Sequence, residues 1–89
     1  MSFTSEAEKI YFEAEQVHND FSSRLTLKFP NLTPQEKRLL VLLRIGLSSK
    51  EISPILNISP KSVEINRHRL RKKLNLNKDE NLIQFIKSM

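Results

Sequence analysis

The chain has 89 residues, 15 basic and 10 acidic side chains, a net charge of +5, two histidines and no cysteine. A chain this short buries only about 60% of its unfolded surface, so a compact helical bundle is expected and a deep catalytic cavity is not. The absence of cysteine excludes disulfides and thiolate metal sites. Because His18 and His68 lie far apart in the sequence, no metal and no cofactor are predicted.

No segment marks the chain for a membrane or for export. The sequence has no apolar run of about 18 residues, the length of a spanning helix, and does not open with a basic segment followed by an apolar one. We therefore expect a cytoplasmic protein without membrane contact in this segment. No glycine-rich phosphate loop, nucleophile–base pair or carboxylate constellation is present, so enzyme activity is not expected.

The charge is unevenly divided along the chain. Residues 1–29 hold three basic and five acidic side chains, whereas residues 30–89 hold twelve basic and five acidic ones, a net of +7. Six of these twelve lie between Lys61 and Lys73. The distribution indicates a polyanion partner for the second part of the chain, although charge alone is equally compatible with a solvated basic face.

The first segment predicts an interrupted amphipathic helix. Its apolar residues recur at steps of three or four: Phe3, Ala7, Ile10, Ala14, Val17, Phe21 and Leu25. Poor helix formers at residues 18–20 predict a bend or break, where Asn19 is a suitable cap for a fresh helix. The segment is predicted to end at Phe29, because the residue before a proline is pushed out of the helical region.

The next segment predicts a helix with defined ends. Thr33 is a cap, the proline after it suits the first helical position, and Glu36 completes a capping box. The helix is expected to run to about Ile45, where Gly46 supplies the left-handed residue that closes it. The predicted core comprises apolar residues of this helix and of the two that follow: Leu39, Leu40, Leu42, Leu43, Ile52, Leu56, Val63, Leu70 and Leu74.

A pair of closely connected helices is predicted to follow. Ser48 and Glu51 form a second capping box, which opens a helix through about residue 56 in which Pro54 removes one backbone donor. After a two-residue connection, a serine cap and a proline open a helix over residues 59–74. Two helices joined in this way, the second long and basic, have the form of a helix-turn-helix.

The helix over residues 59–74 has two different faces. At about 100° per residue, one side holds the residues expected to dock on the preceding helices: Val63, Asn66, Arg67, Leu70 and Leu74. The opposite side, here called the outer face, holds Lys61, Glu64, Ile65, His68, Arg69 and Lys72. Such a face suits a DNA major groove, which needs cations for phosphates and short or planar side chains for base edges.

Three runs of this chain, Leu32–Glu36, Gly46–Ile52 and Ile58–Leu74, carry a resemblance to a known family. They resemble the LuxR/GerE-type (NarL/FixJ-type) helix-turn-helix domain of bacterial transcription factors, over residues 31–87. The resemblance implies an all-α fold in which a four-helix domain at residues 30–89 follows a helical extension at residues 1–29. It also implies a sequence-specific regulator of transcription that binds double-stranded DNA, or a fragment of a larger one.

A last helix is predicted through about Lys87, with Asn77 and Glu80 as its capping pair. Its apolar residues are Leu82, Ile83, Phe85 and Ile86. Members of the family commonly pair through this helix on two DNA half-sites. The resemblance therefore implies a homodimer on DNA, with these four residues as a candidate interface, and RNA polymerase is a further candidate partner.

The resemblance also assigns roles within the helix-turn-helix. Residues that match Glu64, Ile65 and His68 usually face base edges, whereas those that match Ser49, Lys50, Lys61 and Lys72 resemble phosphate contacts. The full set of predicted DNA-binding residues is Ser49, Lys50, Lys61, Ser62, Glu64, Ile65, His68, Arg69 and Lys72. Arg67 and Arg71 are candidates for additional phosphate contacts, and at least two of Arg71, Lys72 and Lys73 are expected to make one.

Two positions depart from the family pattern. Glu64 stands where many members have lysine, so its carboxylate either accepts a hydrogen bond from cytosine N4 or repels a phosphate. Asn66 stands where many members have histidine, which leaves its role open. The sequence does not decide between these alternatives.

The role of the first segment also has two interpretations. Val41, Ile45 and Ile55 are predicted on the outer sides of their helices, where they would receive the stripe formed by Phe12, Val17, Phe21 and Leu25. Alternatively, this stripe pairs with its copy in a second chain as a short coiled coil.

Two other functions fit parts of the sequence. Region 4 of a sigma factor has a similar helix-turn-helix and basic tail, but the predicted last helix argues against it. A protein-interaction module that no longer binds DNA is favoured by Glu64 and by the apolar outer positions.

Overall fold

The computed structural model describes residues 19–89 and, before them, Lys9 alone. Residues 19–89 form five α-helices and no strand: α1 (Asn19–Lys28), α2 (Pro34–Arg44), α3 (Ser49–Leu56), α4 (Pro60–Lys73) and α5 (Leu82–Lys87). The expected all-α fold is confirmed. Among the described residues, no helix is long and apolar enough to cross a membrane.

Side-chain caps begin α2, α3 and α4 where the sequence predicts them. The Thr33 hydroxyl accepts the Glu36 N–H at 3.1 Å, and the Glu36 carboxylate accepts the Thr33 N–H at 2.8 Å. Ser48 and Glu51 form the same reciprocal box before α3, and Ser59 caps α4. These pairs satisfy backbone donors that have no partner inside the helix, so they define each start locally.

Three helices end on a residue with left-handed backbone: Gly46 (φ 96°), Asn57 (φ 57°) and Asn75 (φ 59°). The amide that follows each of these residues bonds back to a carbonyl five residues earlier: Leu47 to Leu42 at 3.2 Å, Ile58 to Ser53 at 3.1 Å and Leu76 to Arg71 at 2.9 Å. Gly46 closes α2 as predicted. The two asparagines close α3 and α4 because their side chains tolerate this conformation better than most.

Helix α2 lies at the centre of the fold. Its five consecutive residues Leu39–Leu43 are buried, and α1, α3 and α5 all pack against it. A helical stretch that is apolar on every side, as these five residues are, requires such cover. Every residue of the predicted core is buried in this cluster, including Ile52, Val63 and Leu70 at 0% exposure.

Helix α1 packs on α2 within the same chain. Phe21 and Leu25 are 1% and 0% exposed and share a cluster with Val41, and the Arg44 guanidinium lies 4.5 Å from the centre of the Phe21 ring. This agrees with the predicted contact of the stripe with Val41. Ile45, by contrast, is 37% exposed and lies outside the cluster.

Part of the first segment lies outside the described residues. This holds for Phe12, Val17 and His18. The predicted break adjoins that part of the chain, and residues 19 and 20 are themselves helical. The helix ends at Lys28, as the proline at position 30 predicts.

The last helix begins later than predicted. It starts at Leu82, with Asn81 as its cap. The predicted capping pair instead closes a separate turn, in which the Glu80 N–H donates to the Asn77 carbonyl at 3.1 Å. The Asn77 N–H also donates to the Glu80 carboxylate at 3.0 Å, so the predicted pair forms but no helix follows it. The Arg71 guanidinium donates to the Asn77 and Glu80 carbonyls at 2.7 and 2.6 Å, which ties this turn to α4.

Replacing Phe21 with alanine tests the packing of α1. We expect Phe21→Ala to lower the free energy of unfolding by about 3–5 kcal/mol, because it empties a fully buried site. Leu27→Ala is the matched control on the same helix: Leu27 is 84% exposed, and its loss should change the free energy by no more than about 0.5 kcal/mol. Urea denaturation measures both, and equally small effects would contradict the packing described here.

Candidate nucleic-acid interface

The two faces of α4 differ as predicted. All six residues of the outer face are exposed, and Ile65 is an apolar residue with 44% exposure. On the opposite side Val63, Leu70 and Leu74 are 0%, 0% and 3% exposed. Helix α4 therefore has one side that is committed to the core and another that is available to a partner.

Helix α3 holds α4 in position. The two helices pack directly against each other, with Ile52 and Leu56 of α3 in the same buried cluster as Val63. Between them, the left-handed Asn57 reverses the chain, and the Ser53 hydroxyl donates to the Ile58 carbonyl. This short, internally bonded turn fixes the direction in which α4 leaves α3.

Glu64 joins the two helices through its carboxylate. The Ser49 hydroxyl, at the start of α3, donates to Oε2 of Glu64. The Arg67 guanidinium lies 3.5 Å from the same oxygen, and the side chain of Glu64 is 60% exposed against 30% for Arg67. The only hydroxyl proton of Ser49 is therefore directed to Glu64, and Arg67 partly balances its charge.

Cations of the outer face are concentrated at its two ends. Lys61 lies in the first turn of α4, while Arg69 and Lys72 lie in its second half, and all are exposed. Lys50 is exposed near the start of α3. The predicted contact residue Ser62 is half-buried, and its hydroxyl accepts a hydrogen bond from the Ser59 hydroxyl at 3.0 Å.

Two of the three consecutive cations at the end of α4 bond within the chain. Arg71 donates to backbone carbonyls of the loop before α5. Lys73 Nζ lies 2.8 Å from Glu36 Oε1 at the start of α2. Only Lys72 of this run belongs to the outer face. Sequence reasoning did not find these two structural roles, because a basic run carries no signal for which of its members meets a distant acceptor.

Asn66 does not belong to the outer face. It is half-buried and lines a pocket of about 240 Å³ between α2, α3 and α4. Thr33, Glu36 and Leu56 also line this pocket. Because Asn66 lines this pocket, it is less exposed than the residues of the outer face of α4. In the part of the chain that the structure describes, no group of three potential metal-ligating side chains occurs.

The last helix directs two of its four apolar residues inward. Leu82 and Ile86 are 4% and 0% exposed in the core of this chain. Ile83 and Phe85 are half-buried, and the Phe85 ring lies 6.2 Å from that of Phe29 in a tilted arrangement. Of the candidate interface, Ile83 and Phe85 are therefore the residues that reach the surface.

Two glutamates at helix starts have lowered pKa values. Burial raises the pKa of Glu36, but hydrogen bonds from Lys73 and the Thr33 backbone, together with the charge of Lys73, outweigh it and leave the pKa below 4.5. Hydrogen bonds from the Ser48 backbone and hydroxyl lower the pKa of Glu51. Both carboxylates are thus held in the charged form that suits a helix N-terminus.

Comparison with known proteins bears on the same part of the chain. Residues 30–86 match the family model GerE, described as bacterial regulatory proteins of the luxR family. The matched range includes all of α2, α3 and α4, and most of α5. No curated protein and no solved structure matches this chain.

The lowered pKa of Glu36 predicts a pH dependence of stability. Glu36→Gln should unfold more easily than the wild type at neutral pH, and the difference should shrink as the pH falls below 4.5. The sign follows because a carboxylate with a lower pKa in the folded state stabilises the fold above its unfolded pKa and loses that effect on protonation. Urea denaturation across this pH range measures the difference.

A second variant serves as a matched control. Lys73→Gln removes the other member of the pair, and its destabilisation should narrow over the same pH range. A difference in unfolding free energy between wild type and Glu36→Gln that does not change with pH would show that the charge of Glu36 contributes nothing to stability.

Proposed function

Because this chain belongs to the luxR family of bacterial regulatory proteins, we propose that it binds double-stranded DNA sequence-specifically and reads the major groove with α4. It is a regulator of transcription, or the DNA-binding part of one. The observation that carries this proposal is the exposed outer face of α4, opposite a side whose apolar residues are buried in the core. The chain then acts in the bacterial cytoplasm, where the chromosome lies.

The chemistry of the outer face supports this reading. Lys61, Arg69 and Lys72, with Lys50 on α3, supply cations for phosphates on both sides of a groove. Between them, Ile65 is apolar and suited to a thymine methyl group, and the imidazole of His68 is suited to a base edge. Cations thus flank shorter side chains, as a groove-binding helix requires.

The proposal includes a homodimer on DNA. Ile83 and Phe85 supply the exposed apolar area of α5 for this contact, since Leu82 and Ile86 are buried in the same chain. Two copies related by a two-fold axis would place two α4 helices on successive half-sites. RNA polymerase is a candidate partner of the bound dimer.

A salt titration tests DNA binding. We expect log Kd for a random duplex to rise linearly with log salt concentration, by about 0.9 for each phosphate neutralised. Lys72→Ala should lower this slope by about one such unit and weaken binding to all duplexes alike. Lys73→Ala is the matched control and should leave the slope unchanged, because Lys73 pairs with Glu36. No binding at low salt would overturn the proposal and favour a protein-interaction module.

Substitutions between the cations test sequence reading. Ile65→Ala and His68→Ala should each relax the preference for a selected duplex by about 1–3 kcal/mol at one base pair. Lys72→Ala on the same face should leave the preference unchanged. Binding-site selection from random duplexes, followed by competition titrations, measures these effects. If both alanine variants select the same sequences as the wild type, α4 does not read the bases through these residues.

A further inference from the structure

Glu64 is the only acid among the six outer-face residues, and it is exposed there. DNA carries a dense row of negative phosphates, so an exposed carboxylate on this face weakens non-specific binding. A helix that only attached to phosphates would bind better without it. The presence of Glu64 therefore has to be explained by its structural contacts or by a specific donor on the DNA.

The described contacts of the carboxylate engage one of its two oxygens. The Ser49 hydroxyl and the Arg67 guanidinium both meet Oε2. An ionised carboxylate has two oxygens with about four acceptor positions. The side chain is 60% exposed, and the described contacts that orient it from both helices do not engage Oε1.

The chemistry of base edges identifies the donor. A carboxylate accepts hydrogen bonds and donates none. In the major groove, guanine presents two acceptors, thymine an acceptor and a methyl group, and adenine an acceptor beside its donor. Cytosine presents only the N4 amino donor, so it is the base that suits a carboxylate.

Building on the proposed function above, we propose that Glu64 is a specificity-determining residue that accepts a hydrogen bond from cytosine N4 in the major groove. Ser49 is a positioning residue, because its hydroxyl donates to Oε2 of Glu64. The orientation of Oε1, the oxygen proposed to accept from cytosine, therefore depends on how α4 packs against α3. Arg67 lowers the cost of the negative charge without removing it. Glu64 thus exchanges some general affinity for a preference at one base pair.

Chemically altered duplexes test this directly. Site selection with the whole chain first locates the position at which cytosine is preferred. At that position, cytosine is replaced by 2-pyrimidinone, which lacks only the N4 amino group. We expect the wild type to bind the altered duplex roughly ten-fold or more weakly, and Glu64→Ala to bind the two duplexes equally.

Three further readouts separate base reading from a merely structural role. Glu64→Ala should bind random duplexes more tightly than the wild type, because a negative charge is removed from the DNA-facing side. The isosteric Glu64→Gln keeps an acceptor for Ser49 and should shift the selected base from cytosine towards adenine, to which an amide binds in a bidentate manner. Ser49→Ala should reduce the cytosine preference less than Glu64→Ala does.

The outcomes distinguish this inference from the proposed function. If Glu64 serves only to join α3 and α4, Glu64→Ala will melt at a lower temperature and bind all duplexes more weakly, and the wild type will not distinguish cytosine from 2-pyrimidinone. That result overturns this inference alone. Failure of the wild type to bind any duplex at low salt overturns the proposed function as well.

Discussion

The burial of five consecutive residues of α2, Leu39–Leu43, is the constraint on which the rest of the structure depends. Five consecutive residues cover the whole circumference of a helix, so α1, α3 and α5 all pack against this stretch. Each large apolar side chain that is buried in this way contributes about 1.5–3 kcal/mol relative to exposure. The position of α3, and through it that of α4, therefore follows from the same core that stabilises the chain.

The outer face of α4 is a consequence of this arrangement. The buried set in the described part of the chain contains no polar or charged residue, so charged side chains lie at or near the surface. Not every basic residue of α4, however, is available to a partner. Arg71 organises the loop before α5, and Lys73 ties the end of α4 to the start of α2. Basic residues thus serve both to build the domain and to form its candidate interface.

Much of the fold and part of the site are predictable from the sequence because they rest on short-range interactions. The capping boxes of Thr33 and Ser48 join residues three apart, so the helix starts follow from the sequence alone. The two faces of α4 follow from the period of the helix, which placed Val63 and Leu70 inside and Ile65 outside. The predicted start of α5 was wrong: Asn77 and Glu80 close a separate turn, and the bonds by which Arg71 ties that turn to α4 cannot be seen from local spacing.

In the described part of the chain, the sequence by itself determined helices α2 to α4, their main caps, the apolar core and the basic outer face, since each depends mainly on residues within a few positions of one another. Only the tertiary structure decided which charges pair. Lys73 meets Glu36 across 37 positions, and Ser49 meets Glu64 across 15. Such pairs form only after the core has brought the helices together, because many acceptors are equally available to a basic or hydroxyl side chain in the unfolded chain. The same packing gave Glu64, an ambiguous acid in the sequence, two partners and a defined orientation.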